Sequence, residues 1–285
     1  MNPPPLPARM EFWQKMLSPR MVSVVDVGAM PAPEIYHLLL LLGMAEVVAF
    51  EPNAQAAEQL NTSFMQLRCF PWLIGNGGKK QFHINAMPHT SSIYPSNLEL
   101  LAGFGYDKEF TTLQVIELES RRLDDIREIH DCDLLKMDVQ GAEVDVIQGA
   151  IELLSEVTIV QPEICFVPFY HGQPLFGEVD QALRAQGFML HRFVGDTAVR
   201  ASWLVEQLPH NLNQLLWTDA VYIRDPARLE GLNPDKLLNM ALILDLCYHS
   251  PDAAAKVLQS YDRLTGASLL PDFMQQINKI VNSEQ

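Results

Sequence analysis

Two hydrophobic patterns divide this chain. Between residues 21 and 224, short and nearly continuous apolar runs alternate with stretches whose apolar positions recur at helical spacing; beyond Pro226 only the helical spacing remains. A continuous apolar run suits a strand covered on both faces, as in a parallel sheet with helices above and below. The alternation therefore predicts an α/β fold, with a helical segment after it. Strands are expected at 21–26, 46–51, 68–74, 80–85, 112–118, 133–138, 157–166, 188–194 and 219–224. The last two are expected to form an antiparallel pair at the sheet edge.

Proline and glycine punctuate the helices. Pro33 suits a first helical turn and Gly43 a C-terminal cap, which predicts a helix over 33–43. Five consecutive leucines, Leu38 to Leu42, wrap that helix on every side. Its outward face therefore needs cover, either from the C-terminal segment or from a second subunit. Further helices are predicted at 54–64, 141–154 and 176–186, and Asp124 or Asp125 is placed to begin a brief one. Residues 86–110 are too long for a simple connection and predict a covering or functional excursion, with a helix after Ser96. Pro234, Pro251 and Pro271, each followed by an acid, predict three short helices. The first eight residues hold four prolines and predict an irregular tail. An amphipathic helix at 9–17 follows, showing Phe12, Trp13, Met16 and Leu17, as a lid or a docked element. The expected division is an N-terminal tail and helix at 1–20, a main domain at 21–226 and a helical appendage at 227–285.

Composition narrows the class. With 285 residues and 48% hydrophobic positions the chain can bury a large core. Thirty-five acids against 20 basic residues give a net charge of −15, which repels nucleic-acid backbones and anionic membranes. The pairs Arg121–Arg122 and Lys79–Lys80, with Arg127, read as solvated surface. Cys69, Cys132, Cys165 and Cys247 lie far apart with no neighbouring histidine at ligand spacing, so reduced thiols and no metal are expected. No secretory pattern opens the chain and no apolar run reaches the roughly 18 residues of a membrane span, which predicts a cytoplasmic protein.

The chemistry gathers at strand ends. Asp26 closes the first strand and Glu51 the second, 25 positions later, a spacing that matches the ribose-binding acid of nucleotide-binding βαβ units. Pro52 stops the second strand and leaves Glu51 at its tip. Parallel strands finish at one edge, so the two acids are expected side by side in the ligand crevice. The VGA after Asp26 is a weak signal, and Gly28 is followed by Met-Pro-Ala-Pro-Glu where a dinucleotide loop has more glycines. A nicotinamide-dependent dehydrogenase shares the strand-end acid but needs that fuller loop.

Four segments together resemble the FkbM-type methyltransferases: VVDVGA at 24–29, VVAFEPN at 47–53, RLDDI at 122–126 and LLKMDVQGAEVDVIQGA at 134–150. The last is the most specific. SSIYPSN and WTDAVYIR are weaker matches in the expected order, so the likeness runs from about residue 20 to 225. The resemblance implies a seven-stranded Rossmann-like methyltransferase sheet with helices on both faces, and S-adenosylmethionine as cofactor. It implies that Asp26, Gly28 and Glu51 surround the cofactor, with Asn76 a candidate for its adenine end. Asp138, at a strand tip, becomes the candidate base or acceptor-orienting group, with a helix-capping role as its alternative. Glu163 and His171 are candidates for an acceptor pocket, roofed by His89, Ser91, Ser92 and Tyr94. The expected reaction is O-methylation of a hydroxyl on a glycan, a sugar or a small metabolite. A binding protein that kept the fold and lost turnover is the alternative, and a homo-oligomer is an open possibility.

Overall fold

The computed structural model describes residues 6–16, 20–194, 198–206, 208–209, 211–227, 229 and 231–281. Its centre is an eight-stranded sheet built from β1 (Val22–Val27), β2 (Ala45–Phe50), β3 (Leu67–Phe70), β7 (Leu134–Met137), β8 (Ile159–Cys165), β9 (Phe188–Phe193), β10 (Val199–Ala201) and β11 (Gln214–Arg224). Across the sheet the order is β10-β11-β8-β7-β1-β2-β3, and β9 also lies against β11. β9 borders residues 220–224 of β11 and β10 borders residues 214–217, so the two share one edge position. All neighbours from β3 to β8 are parallel, and β11 is antiparallel to β8. This is the α/β arrangement predicted from the hydrophobic pattern and the Rossmann-like sheet that the resemblance implied, with eight strands in place of seven because β9 and β10 share one edge position. The chain winds outward from β1 to β3 and then crosses back to β7, which leaves a crevice where the winding reverses, outside the ends of β1 and β7.

Beside it, β4 (Leu73–Ile74), β5 (Gly78–Asn85) and β6 (Thr112–Arg121) form a second, three-stranded sheet. The predicted strand at 68–74 is thus split, with Pro71 and Trp72 between its halves. The strand expected at 112–118 runs on to Arg121, and the one expected at 219–224 begins at Gln214. The excursion holds α4 (Leu98–Ala102), capped by the Asn97 side chain, which accepts the Leu100 N–H at 3.3 Å.

Alternate residues of each strand feed different layers. Val22, Val24, Val47 and Leu134 point to one face, covered by α2 (His37–Leu41), α3 (Ala54–Asn61), α8 (Pro234–Leu246) and α9 (Pro251–Thr265). Val25, Val27, Leu135 and Val160 point to the other, under α5 (Glu143–Gln148), α6 (Ile151–Leu154) and α7 (Phe176–Ala185). The predicted helix at 141–154 breaks because a side chain at Gly149 would stand 2.0 Å from the Gly75 carbonyl oxygen. That close approach fixes the glycine, and the helix restarts after it.

The helix expected at 33–43 is a single turn. Pro31 and Pro33 hold the segment after β1 extended, since a residue before proline is pushed out of the helical region. Leu39 and Leu40 are buried, but Leu41 is 72% exposed, so among the described residues the C-terminal helices do not cover the outward face as expected. The C-terminal helices go elsewhere. α8 is buried from Lys236 to Leu246 and shares one core with the sheet. Its polar side chains are matched: Lys236 Nζ lies 3.1 Å from Asp133 Oδ1, Asn239 Nδ2 donates to Asp133 Oδ2 at 2.7 Å, and Asp245 accepts from Arg9 Nε at 3.1 Å and Trp13 Nε1 at 2.8 Å.

The last pair docks α1 (Leu6–Met16) onto α8, and Phe12 and Trp13 meet Phe273 of α10 (Leu269–Val281) at 5.5 and 5.8 Å. The N-terminal helix is therefore a docked element, and it begins inside the stretch expected as irregular tail. Residues 1–5 of that tail, and Leu17, lie outside the described residues. The four cysteines are free and buried. No described helix is long and apolar enough to cross a membrane.

Ending the chain before Asn233 would strip α8 from the sheet, remove Lys236 and Asn239 from Asp133 and leave buried Arg9 without Asp245. We expect such a truncation to yield no soluble folded monomer. Gel filtration and circular dichroism check this, and a stable monomer would contradict it.

Candidate active site

A cleft enclosing about 750 Å³ of empty space, its open mouth included, lies at the ends of β1, β2 and β7. Gly28 to Pro31 line it from β1, Glu51 to Asn53 from β2, Trp72 to Ile74 from beyond β3, and Asp138 to Gln140 from β7. Phe82 of β5 and Pro88, His89 and Ser91 of the excursion close it.

Its floor is a backbone junction. Gly28 has φ of 80°, and a Cβ there would stand 1.8 Å from the Asp138 carbonyl oxygen. Only glycine permits both the conformation and the approach. The Gly28 N–H donates to the Phe50 carbonyl at 2.8 Å and the Asp138 N–H to the Val27 carbonyl at 2.9 Å, so the tips of β1, β2 and β7 are tied together.

Glu51 stands at one end of this floor. Its Oε1 accepts the Asn53 N–H at 2.8 Å, while the Asn53 side chain caps α3 by accepting from Gln55 and Ala56. Burial raises the Glu51 carboxyl to about 7, against the opposing Asn53 N–H, with Asp138 and Asp26 adding to the rise. An aromatic wall lies alongside: the Phe70 and Trp72 rings stack at 4.6 Å, Phe50 lies 6.0 Å from each, and the Arg121 guanidinium sits 3.9 Å from the Trp72 ring centre.

Asp26 is not beside Glu51 in the cleft. It has the parity of Val22 and Val24, so its fully buried side chain points into the layer under α2. There Asp26 Oδ2 accepts the Tyr36 hydroxyl at 2.5 Å, and Lys136, its register partner on β7, brings Nζ to 3.5 Å from Oδ1 and 3.4 Å from Glu34 Oε2. Burial opposes the Lys136 ammonium, but Asp26, Asp138, Glu34 and Asp219 outweigh it and raise the lysine above its usual range. Burial also lifts Glu34 to about 7, despite Lys136, and Asp219 to about 6, with Asp138 contributing.

On the other side, Gln140 Nε2 donates to Asp138 Oδ1 at 2.8 Å and to Glu163 Oε2 at 3.1 Å, and Gln140 Oε1 accepts the Tyr170 hydroxyl at 2.9 Å. Glu163 is therefore behind Asp138, outside the cleft lining, and burial pushes its carboxyl well above the usual range. Glu143 caps the loop between β7 and α5, accepting the N–H groups of Val139 at 3.1 Å and Gly141 at 3.3 Å; burial raises it to about 7. The excursion is pinned here too: Ser92 Oγ donates to the Gln140 carbonyl at 2.7 Å and the Tyr94 hydroxyl to Asp145 Oδ2 at 2.9 Å.

Of the residues named from the sequence, Gly28, Glu51 and Asp138 line the cleft, with His89 and Ser91 in its roof. Asn76 is exposed outside it, donating to Gln148 Oε1 at 3.2 Å. His171 is exposed on a loop whose N–H meets the Pro95 carbonyl. Trp72 and Gln140 were not anticipated. Trp72 carried a signal, an aromatic just past a strand tip next to the one that ends at Glu51.

Over residues 26–190, more than half of the chain, the sequence matches the profile described as "Methyltransferase FkbM domain". The chain belongs to the FkbM methyltransferase family. It is also 28% identical over 160 residues to "2-O-methyltransferase NoeI" of Sinorhizobium fredii (strain NBRC 101917 / NGR234), a match covering 53% of this chain and 66% of that protein. Among solved structures it is similar in outline to a precorrin-6y C5,15-methyltransferase from Geobacter metallireducens GS-15, at 10% identity and TM-score 0.40, covering 76% of this chain and 86% of that one. A TehB-like SAM-dependent methyltransferase from Corynebacterium glutamicum gives 10% identity and TM-score 0.34 over 78% and 89% of the two chains. The family's matched region holds Gly28, Glu51, Asp138 and Gln140, the residues at the four corners of the cleft.

Two predictions follow from the geometry. Gly28→Ala forces a side chain into the Asp138 carbonyl and a non-glycine residue to positive φ, and should cost at least about 3 kcal/mol of stability, read by denaturant unfolding. The raised carboxyls fix a pH dependence. Folded Glu51 and Glu143 hold protons that the unfolded chain releases near 4.5, so the stability these two groups contribute is full below that value and is lost as pH rises to about 7. The melting temperature of the ligand-free protein should therefore fall between about pH 5 and 7, and a rise over that interval would contradict these assignments.

Proposed function

We propose that this protein is an S-adenosylmethionine-dependent O-methyltransferase acting on a hydroxyl of a glycan, a sugar or a small polar metabolite. The observation that carries the reading is the cleft's combination of a glycine floor, a strand-tip acid and an aromatic wall in one chamber. Gly28 leaves main-chain surface open for close approach of a ligand. The Glu51 carboxylate, held by a single N–H, has acceptor capacity left for a ribose diol, and Phe50 and Trp72 give the same chamber an aromatic wall for a purine. The donor set also suits the cofactor's charge. Lys136 is a buried cation beside the cleft with Asp26, Glu34, Asp138 and Asp219 around it, and a cationic ligand would draw the raised carboxyls toward their ionised forms.

When bound, S-adenosylmethionine supplies a methyl group already activated on a sulfonium. What falls to the protein is alignment, exclusion of water and the acceptor's proton. Asp138 is suited to the proton. Its Oδ1 is taken by Gln140, and Oδ2 receives no hydrogen bond from the described residues, so that oxygen can accept the hydroxyl hydrogen as the methyl transfers. The roof residues His89 and Ser91 offer polar contacts to a hydroxylated acceptor. O-methylation is supported by the name of the Sinorhizobium relative, and the net charge of −15 disfavours polyanionic acceptors.

The proline-held segment after Gly28, which borders the cleft with Met30 and Pro31, favours a second reading in which the fold binds ligand without turnover. Calorimetry with S-adenosylmethionine and S-adenosylhomocysteine separates the two: binding of neither to a folded sample supports the second. For the enzyme, Glu51→Ala should weaken S-adenosylmethionine binding by about 1–3 kcal/mol through lost charged hydrogen bonds. Unchanged affinity would remove the ribose assignment. With isotopically labelled donor and cell extract as acceptor source, Asp138→Asn should slow methyl transfer at least tenfold more than it weakens binding. Small and equal losses would instead make Asp138 a structural acid.

A further inference from the structure

Gln140 is one of two described non-glycine residues with a left-handed backbone, at φ of 54°. Such a conformation is costly for a residue with a side chain and persists where the surroundings over-determine it. Here they do. The main-chain carbonyl accepts Ser92 Oγ, and the side-chain amide uses both of its ends. Its two N–H hydrogens go to two different carboxyls, Asp138 Oδ1 and Glu163 Oε2, and its oxygen accepts the Tyr170 hydroxyl. That hydroxyl also lies 2.7 Å from the Thr90 carbonyl, so its single hydrogen is shared between the two oxygens, and Tyr170 itself is 1% exposed. Glycine would be the least strained residue at this position, and it could make none of the side-chain contacts.

We propose that Gln140 is a positioning residue: its amide holds Asp138 and Glu163 as a fixed pair, occupies Asp138 Oδ1, and leaves Oδ2 as the one Asp138 oxygen turned to accept the substrate's proton. This rests on the reading of Asp138 as the base. Hydrogen bonds to the charged form of a carboxyl favour that form, so the amide also keeps the pair from being swamped by its neighbours. Those neighbours are Lys136 on β7, Glu34 after β1, Glu51 after β2, Glu143 on α5 and Asp219 on β11. Because the same amide is tied through Tyr170 and Ser92 to the excursion, the roof and the base share one anchor.

The test compares Gln140→Gly with Gln140→Met. Glycine suits the backbone and methionine does not, yet both lack the amide, so a change common to both reports the lost hydrogen bonds. Carbon-13 NMR of protein labelled at Asp and Glu carboxyls follows the two signals that vanish in Asp138→Asn and Glu163→Gln. Both variants should raise the proton affinity of the pair at least threefold, while S-adenosylmethionine affinity by calorimetry stays within twofold. Should methionine fail to fold there, Gln140→Gly decides alone. Titrations unchanged from the wild type overturn the proposal, as does a tenfold loss of S-adenosylmethionine affinity, which would make Gln140 a cofactor ligand. Failure of the wild type to bind S-adenosylmethionine would sink the functional reading instead, and the titration would still judge Gln140.

Discussion

The space where residue 28 would carry a side chain is filled by the carbonyl oxygen of Asp138. Everything chemical in the protein is arranged around that contact. It brings the tip of β1 against the tip of β7 at the point where the winding of the sheet reverses, and it does so with main chain alone, leaving a floor a ligand can approach closely. From this junction Glu51 is set by β2, the neighbour on one side, and Glu163 by β8, the neighbour on the other. Because parallel strands are held by regular ladders and covered on both faces, these positions are rigid to the precision that alignment catalysis needs.

A second constraint is electrostatic. Removing several carboxylates from water at one sheet edge is unfavourable, and the chain relieves it in two ways. Lys136 is threaded into the layer beneath the floor, where Asp26 and Glu34 surround it, and several remaining acids hold their protons up to near-neutral pH. Asp26 therefore has a different task from Glu51, although the sequence presents them as a pair. It neutralises the lysine and anchors Tyr36, holding the proline-rich segment that borders the cleft.

This division shows what a sequence can and cannot carry. The strands, their order of use and the acids at their tips follow from hydrophobic periodicity, since period and burial are local properties. Which face Asp26 points to depends on parity counted from the core residues Val22 and Val24, a count the sequence permits but the tip position obscures. The break at Gly149 depends on Gly75, distant in sequence, and no local pattern announces it. Gln140 is harder still, since its meaning comes from Asp138, Glu163, Tyr170 and Ser92, contributed by three separate stretches. The five leucines misled for a different reason: Pro31 and Pro33 shorten the helix, so Leu41 faces solvent and the C-terminal helices cover the sheet in its place.

The roof is attached in another manner from the floor. No strand of the main sheet pairs with the excursion; it is fastened by Ser92 and Tyr94, by backbone bonds from Asn97 to the Phe169 carbonyl and from His171 to the Pro95 carbonyl, and by Leu101, Phe104 and Phe110 packed with Cys165, Phe169 and Leu216 in an apolar cluster of their own. The floor, by contrast, is main chain tied by strand ladders at the junction of β1 and β7. Roof positions outside these contacts, such as exposed His89, can therefore vary without disturbing the sheet. Roof and floor meet at Gln140, whose carbonyl accepts Ser92 Oγ and whose amide donates to Asp138 Oδ1.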